Sequence, residues 1–380
     1  MRLKRYLKQI ITKKLEDKEI VWFQEANRYL LVEQTAANII NDLYYKEDPK
    51  SIATKLNNKI DIPIDIALEF IQKIKNDIVI PNTIGHKVEE TNLSYKIPEK
   101  FSFEKFYLIN SKIFKVFFSN EFELSLIHPK IAHLEVKQHS IIDFTFQVFN
   151  YSKKTFLILD SKLIGSWSVE DIHYFQGKFS MKIIECIYEK EEKDWMGVFH
   201  ASALNYNKNT LLILGDSGNG KSTSLALLQA QGFQCIADDF VPIDISKKIH
   251  TFPAGISIKK NSLPVLLDYY PELKNSAEYH YSRLNKTVRY LPPKNINYHE
   301  KNLCKALVFI KYDSKTDFEI SKISSLEAFE KLVPDSWISP IPKNATTFLE
   351  WFEKLPCYQL TYSNNKKMYA AVKDIFEKEA

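Results

Sequence analysis

The run Leu211-Leu212-Ile213-Leu214 passes directly into Gly215-Asp216-Ser217-Gly218-Asn219-Gly220-Lys221-Ser222, and this junction leaves little freedom in how the chain around it folds. Four consecutive apolar residues read as a strand buried on both faces. The glycines that follow let the chain turn so that successive backbone N–H groups point at one anion, and a helix starting near Ser222 aims the positive end of its dipole at the same place. The whole chain holds only nine glycines and three of them fall between 215 and 220, so glycine is placed here for geometry. Leu225, Ala226 and Leu228 supply an apolar stripe for the helix, and Gly232 stands where it should stop. In such a cradle Lys221 reaches the β and γ phosphates, the Ser222 hydroxyl faces magnesium, and Thr223 completes the first helical turn. A predicted strand Phe233–Ala237 then ends in the adjacent carboxylates Asp238 and Asp239, one suited to holding a metal and the other to taking a proton from a hydroxyl.

With 380 residues, 45% of them hydrophobic and 26% charged, the chain is expected to form two or three domains of α/β, overall α+β, character. No apolar run is long enough to span a bilayer, and Met1–Glu19, basic through Arg2, Lys4, Arg5, Lys8, Lys13 and Lys14, lacks the apolar core of a secretion signal. A cytoplasmic protein without a membrane partner is expected. The four cysteines, Cys186, Cys235, Cys304 and Cys357, are widely spaced in apolar contexts and read as reduced core residues. A net charge of +5 is too small for this size to demand nucleic acid, although the basic arm alone suits an acidic peptide or lipid.

Three segments are expected: 1–90, 91–195 and 196–380. In the first, Val21-Trp22-Phe23 and Tyr29–Val32 read as strands joined by a turn at Glu25-Ala26-Asn27. Thr35 is placed to cap a helix with Ala36, Ile39, Ile40 and Leu43 on one face, and Ser51 to cap a shorter one with Ile52, Ala53 and Leu56. A third helix from Pro63 carries Ile66, Phe70, Ile74 and Ile78 at a spacing of four. A hairpin with three such helices is a winged-helix arrangement. Polar residues with Pro81, Gly85 and Pro98 mark a linker over 83–98. Alternating aromatic and β-branched residues over 99–165 mark a small β-rich subdomain, and Ser166 or Ser168 is expected to cap a helix through Ile172, Phe175, Phe179, Ile183 and Cys186. Strands dominate after Asp239, with a terminal helix near Met368–Phe376, and no internal repeat is visible.

The elements His200-Ala201, Gly215–Ser222, Gly232-Phe233 and Ala237-Asp238-Asp239 stand in the order and near the spacing of bacterial HPr kinase/phosphorylase, a family whose fold is related to that of phosphoenolpyruvate carboxykinase. The segment 196–245 resembles that family strongly and the remainder diffusely. The resemblance implies ATP and Mg2+ as cofactors, residues 215–223 around the nucleotide, Ser222 and Asp238 on the metal, Asp239 as general base and His200 tuning that carboxylate. The family's usual continuation after Asp239 is missing, as is its glycine-rich signature, which argues against HPr as the substrate. The chain looks more like divergent kinases that accompany peptide-modification clusters and phosphorylate a peptide hydroxyl. Leu30–Ile40 and Ser51–Leu56 resemble the PqqD-like peptide-recognition domains of those pathways, over about sixty residues. That resemblance implies a leader peptide added as a strand to the hairpin edge and gripped by the long helix, within residues 20–82. A winged helix that only packs, or one that binds DNA, stays open, although Lys55, Lys59, Lys73 and Lys75 are diluted by Asp61, Asp65, Glu69 and Asp77. Also open are a hydroxylated metabolite as acceptor, a nucleotide-driven delivery switch without an acceptor, the choice of phosphate donor, and assembly into a homo-oligomer. Lys259 and Arg289 are further candidates for contacting nucleotide or substrate.

Overall fold

Residues 9–84, 94–281, 286–300 and 302–377 are described by the computed structural model. The chain is mixed α/β and divides into two compact units, Met1–Thr91 with Ser324–Lys354, and Asn92–Ile323 with Leu355–Ala380. Arg2, Lys4, Arg5 and Lys8 of the basic arm, most of the expected linker (85–93) and residues 282–285 lie outside the described residues.

In the first unit the hairpin Lys18–Phe23 and Arg28–Val32 pairs antiparallel, with Asn27 at a left-handed φ of +46° in the turn. A third strand, Ile10–Leu15, lies on the other side of Lys18–Phe23 and takes in Lys13 and Lys14. These two lysines therefore belong to a sheet and not to a free arm. The helices Gln34–Tyr44, Pro49–Ile60 and Ile64–Ile74 follow, the last continuing through Lys75–Val79 and Ile80–Thr83. Two expected caps are displaced. Glu33, not Thr35, precedes the first helix, and Asp48 caps the second by accepting the Ser51 N–H at 3.3 Å, with Pro49 in the first helical position. The third helix buries Ala67, Ile71 and Ile74, whereas Ile66 and Phe70 are exposed.

Residues 324–354, expected within segment 196–380, group with this amino-terminal unit. Ser324 caps the helix Ser325–Leu332, and Pro342–Phe352 forms another. The Tyr29 ring packs edge-on against Phe329 and Phe348, with centroids 6.1 and 5.6 Å away. Asn27 donates to the Ile338 carbonyl at 2.7 Å, and Glu16 accepts the Ser325 N–H at 2.6 Å.

The second unit carries a six-stranded sheet in the order Glu135–Val136, Phe103–Ile109, Lys112–Phe118, Phe144–Tyr151, Lys154–Leu159, Lys162–Ser168. A capping box between Asn120 and Glu123 starts the helix Glu121–Ile131. Ser166 and Ser168 belong to the last strand, so neither caps the following helix, Ile172–Tyr188, which begins after Asp171 and buries Phe175, Phe179, Ile183 and Cys186. The larger sheet is built around Asn302–Tyr312, eleven residues long and parallel both to Asn209–Leu214 and to Cys357–Tyr362. Ser202–Tyr206 and Gln234–Ala237 extend it on one side, and Lys248–Ile249, Val241–Asp244 and Trp195–Phe199 continue it in the other direction. Leu211, Ile213, Leu225, Leu228, Val308, Ile310 and Leu360 meet in its core. Each such side chain, fully withdrawn from water, contributes about 1.5–3 kcal/mol, which anchors the loop between residues 214 and 221 at both ends.

All four cysteines are free; Cys186, Cys235 and Cys357 are buried and Cys304 half-buried. Among the described residues no helix is long and apolar enough to cross a membrane.

Candidate functional site

The strand Asn209–Leu214 delivers the chain to Gly215, and the helix Lys221–Ala230 begins after Gly220. Gly215, Gly218 and Gly220 take φ values of +144°, +103° and +92°, a region closed to most side chains. At Gly215 a Cβ would also stand 2.5 Å from the Ile310 carbonyl oxygen of the neighbouring strand. The loop is braced from within: Asn219 N–H donates to the Asp216 carbonyl at 3.1 Å, and Tyr312 N–H to the Asn219 carbonyl at 3.0 Å. Asp216, Ser217, Gly218, Gly220, Lys221, Ser222 and Thr223 line a cavity of about 100 Å³; Gly215 and Asn219 support the loop from outside it.

Lys221 is 6% exposed and its ammonium donates to the Gly215 carbonyl, which holds the charge at the mouth of the loop. Lys259, at the end of the strand Ile256–Lys259, enters the same cavity and reaches the Ser217 hydroxyl at 3.2 Å. Arg289 is elsewhere engaged, with the Ser276 carbonyl and, at 3.7 Å, with Glu278. Thr223 donates to the Ser262 hydroxyl at 2.7 Å, and Ser224 shares a 2.7 Å hydrogen bond with Tyr362, fixing the first turn of the helix.

Two adjacent carboxylates end the strand Gln234–Ala237 in different surroundings. Asp239 has a left-handed φ of +63°, which breaks the alternation of the strand. Asp238 is 3% exposed and accepts the Ser202 hydroxyl at 2.6 Å and the Ser257 N–H at 3.1 Å. Burial and then the neighbouring Asp239 push the Asp238 carboxyl up to about 6, against the pull of hydrogen bonds from Ser202, Ser257 and Ser222. The Asp239 side chain, 36% exposed, faces the cavity, with His200 Nε2 4.0 Å from its Oδ1. That separation is too long for a hydrogen bond. His200 sits at the tight turn between Trp195–Phe199 and Ser202–Tyr206, where Ala201 N–H donates to the Phe199 carbonyl at 2.9 Å.

A second cavity, of about 200 Å³, opens beside the first, and His200, Asp239 and Ser257 line both. Its other walls include Lys130, the helix residues His173, Gln176 and Gly177, the aromatic residues Phe240 and Phe252, and Tyr290. Sequence reasoning named neither Ser202 nor Ser257 as a partner of Asp238. Ser202 stands two residues beyond His200, a spacing that carries meaning only once the turn is known to bring that strand beside Gln234–Ala237.

Asp238, a buried carboxylate that takes the Ser222 hydroxyl, and Ser222 itself, in the wall of the glycine-loop cavity, could together hold a divalent cation. Among the described residues no group of three or more His, Cys, Asp or Glu side chains could hold a metal ion. Magnesium that takes its remaining ligands from phosphates and water requires no such cage. Comparison with protein-family models finds no match for this chain, and no curated protein matches it.

Proposed function

We propose that the chain is an ATP-dependent kinase that phosphorylates a Ser or Thr hydroxyl, on a ribosomally made peptide whose leader is bound by residues 20–82. The observation that carries this reading is the meeting of two cavities at Asp239, one walled by the glycine loop and the other free for an acceptor. Phosphoryl transfer asks mainly for positioning and charge compensation. Backbone N–H groups of the loop residues that line the cavity, 216–218 and 220–222, and the ammonium groups of Lys221 and Lys259 would hold the phosphates. Ser222 and Asp238 would hold Mg2+, which when bound neutralises charge on the phosphates. Asp239 would accept the acceptor's hydroxyl proton as the new O–P bond forms and the bond to ADP breaks, while His200 keeps that carboxylate oriented. The division of labour follows from environment: Asp238 is buried, hydrogen-bonded and borders only the second cavity, whereas Asp239 is open to both.

The peptide part of the proposal rests on the hairpin. Among the described residues Arg28–Val32 pairs only with Lys18–Phe23, so its outer edge can accept an extended strand. Ile64, Ile66 and Phe70 present exposed apolar surface on the third helix of the same unit. Mass spectrometry of peptides encoded beside the gene, incubated with protein, ATP and magnesium, tests the proposal. A gain of one phosphate that disappears with Lys221→Ala supports it; ATP binding without transfer to any peptide rejects the peptide acceptor.

A further inference from the structure

The second cavity contains a feature that neither the phosphate loop nor the carboxylates explain. Gly177 lies in the interior of the 17-residue helix Ile172–Tyr188, where glycine weakens a helix relative to alanine. Nothing packed against the helix requires it there. Its φ is an ordinary helical one, and a Cβ built on it meets no atom within 4 Å. The space in front of it belongs to the cavity that Asp239 and His200 also line. Gly177 is exposed on the helix face that lines the cavity, and the helix is anchored largely from its opposite face. Phe175 and Phe179, on either side in sequence, are buried, and Gln176 donates to the Leu126 carbonyl at 2.8 Å.

We infer that Gly177 sets the size of the acceptor: a side chain is absent there so that the group carrying the hydroxyl can approach the helix while its oxygen lies at Asp239. The inference rests on the kinase reading and assigns a specificity-determining wall to the middle of the chain, outside the phosphate-loop segment. A packing role would make alanine at this position destabilising; the open space makes it stabilising, because alanine is the better helix former. A specificity role predicts that alanine and leucine weaken acceptor use in order of size while nucleotide binding stays intact.

The test compares wild type with Gly177→Ala and Gly177→Leu on synthetic peptides that join the leader of a precursor encoded beside the gene to eight-residue cores varied around a Ser or Thr, with binding of a non-hydrolysable ATP analogue and melting temperature measured in parallel. Gly177→Ala is expected to raise the melting temperature by about 1–2 °C. Gly177→Leu is expected to raise KM for the preferred peptides on the order of tenfold or more. Affinity for the ATP analogue should change less than twofold. Unchanged KM in both variants overturns the inference and leaves the kinase reading standing, as does a lowered melting temperature of Gly177→Ala. A wild type that transfers phosphate to no peptide removes the peptide reading and this inference with it.

Discussion

Gly215 shows most directly how one residue ties fold to site. Its φ of +144° and the Ile310 carbonyl 2.5 Å from where a Cβ would stand leave no room for a side chain, and its own carbonyl receives the Lys221 ammonium. Gly215→Ala is therefore expected to destabilise the protein by about 2–4 kcal/mol and to weaken nucleotide binding at the same time, read by denaturant titration and by ATP-analogue binding. If binding survives at full strength, Lys221 does not depend on this carbonyl for its position. Asp239 allows a cleaner separation, since its side chain is partly in solvent and holds no part of the core. Asp239→Asn should lower phosphotransfer by a factor of about 10²–10⁴ with ATP affinity kept. A nucleotide-driven delivery switch would instead retain its function in that variant.

Between elements, the turn after Val241–Asp244 is held by a charge cluster that imposes a pH dependence. Asp244 is 3% exposed, takes His250 Nε2 at 2.8 Å and Lys190 Nζ at 3.1 Å, and accepts the N–H groups of Ser246 and Lys248. Burial alone would raise its carboxyl, but hydrogen bonds and charge from His250, with those from Lys248 and Lys190, hold it well below the usual carboxylate range. A depressed folded-state value means that the stabilisation is fully present above the unfolded carboxyl's range, near pH 4, and is lost progressively as pH falls from there toward the much lower folded-state value. Asp244→Asn should cost about 2–3 kcal/mol at pH 7 and flatten the acid limb of a stability profile taken from pH 7 to 3. Such long-range partners are what a sequence cannot display. The turn geometry of the loop at 215–220 was legible because glycine in a glycine-poor chain marks required backbone geometry. The strand Ile10–Leu15 was hidden because Lys13 and Lys14 sit on it, and charge on a sheet edge resembles charge on an arm. The third helix carries two overlapping apolar stripes, and periodicity alone does not say whether Ile66 and Phe70 or Ala67 and Ile71 face inward. The cavity in front of Gly177 is lined by residues from widely separated stretches of the chain, and no spacing encodes that.

At the scale of the whole molecule, the composition of the first unit alters how its role can be tested. Removing residues 1–90 is the obvious way to ask whether a recognition domain is needed, yet 324–354 belong to the same unit. The deletion would strip Tyr29 from Phe329 and Phe348, and leave the buried Phe329, Leu332, Phe348 and Phe352 facing water on two helices. An exposed apolar surface of that size promotes association, so a 91–380 fragment is expected to aggregate for reasons unrelated to recognition. The second unit offers a natural place to close the gap. Phe318–Lys322 and Cys357–Tyr362 pair antiparallel, with Lys322 opposite Tyr358, and Ile323 N–H donates to the Cys357 carbonyl at 3.0 Å. Residues 324–354 thus enter and leave through neighbouring backbone positions, and a short Asn-Gly link from Ile323 to Leu355 would turn the excursion into a hairpin. A chain lacking both 1–91 and 324–354 is expected to be monodisperse in size-exclusion chromatography and to bind the ATP analogue within a few-fold of the full protein, while losing selectivity for leader-bearing peptides. If the single deletion is the well-behaved one and the double deletion aggregates, the assignment of 324–354 to the amino-terminal unit is wrong.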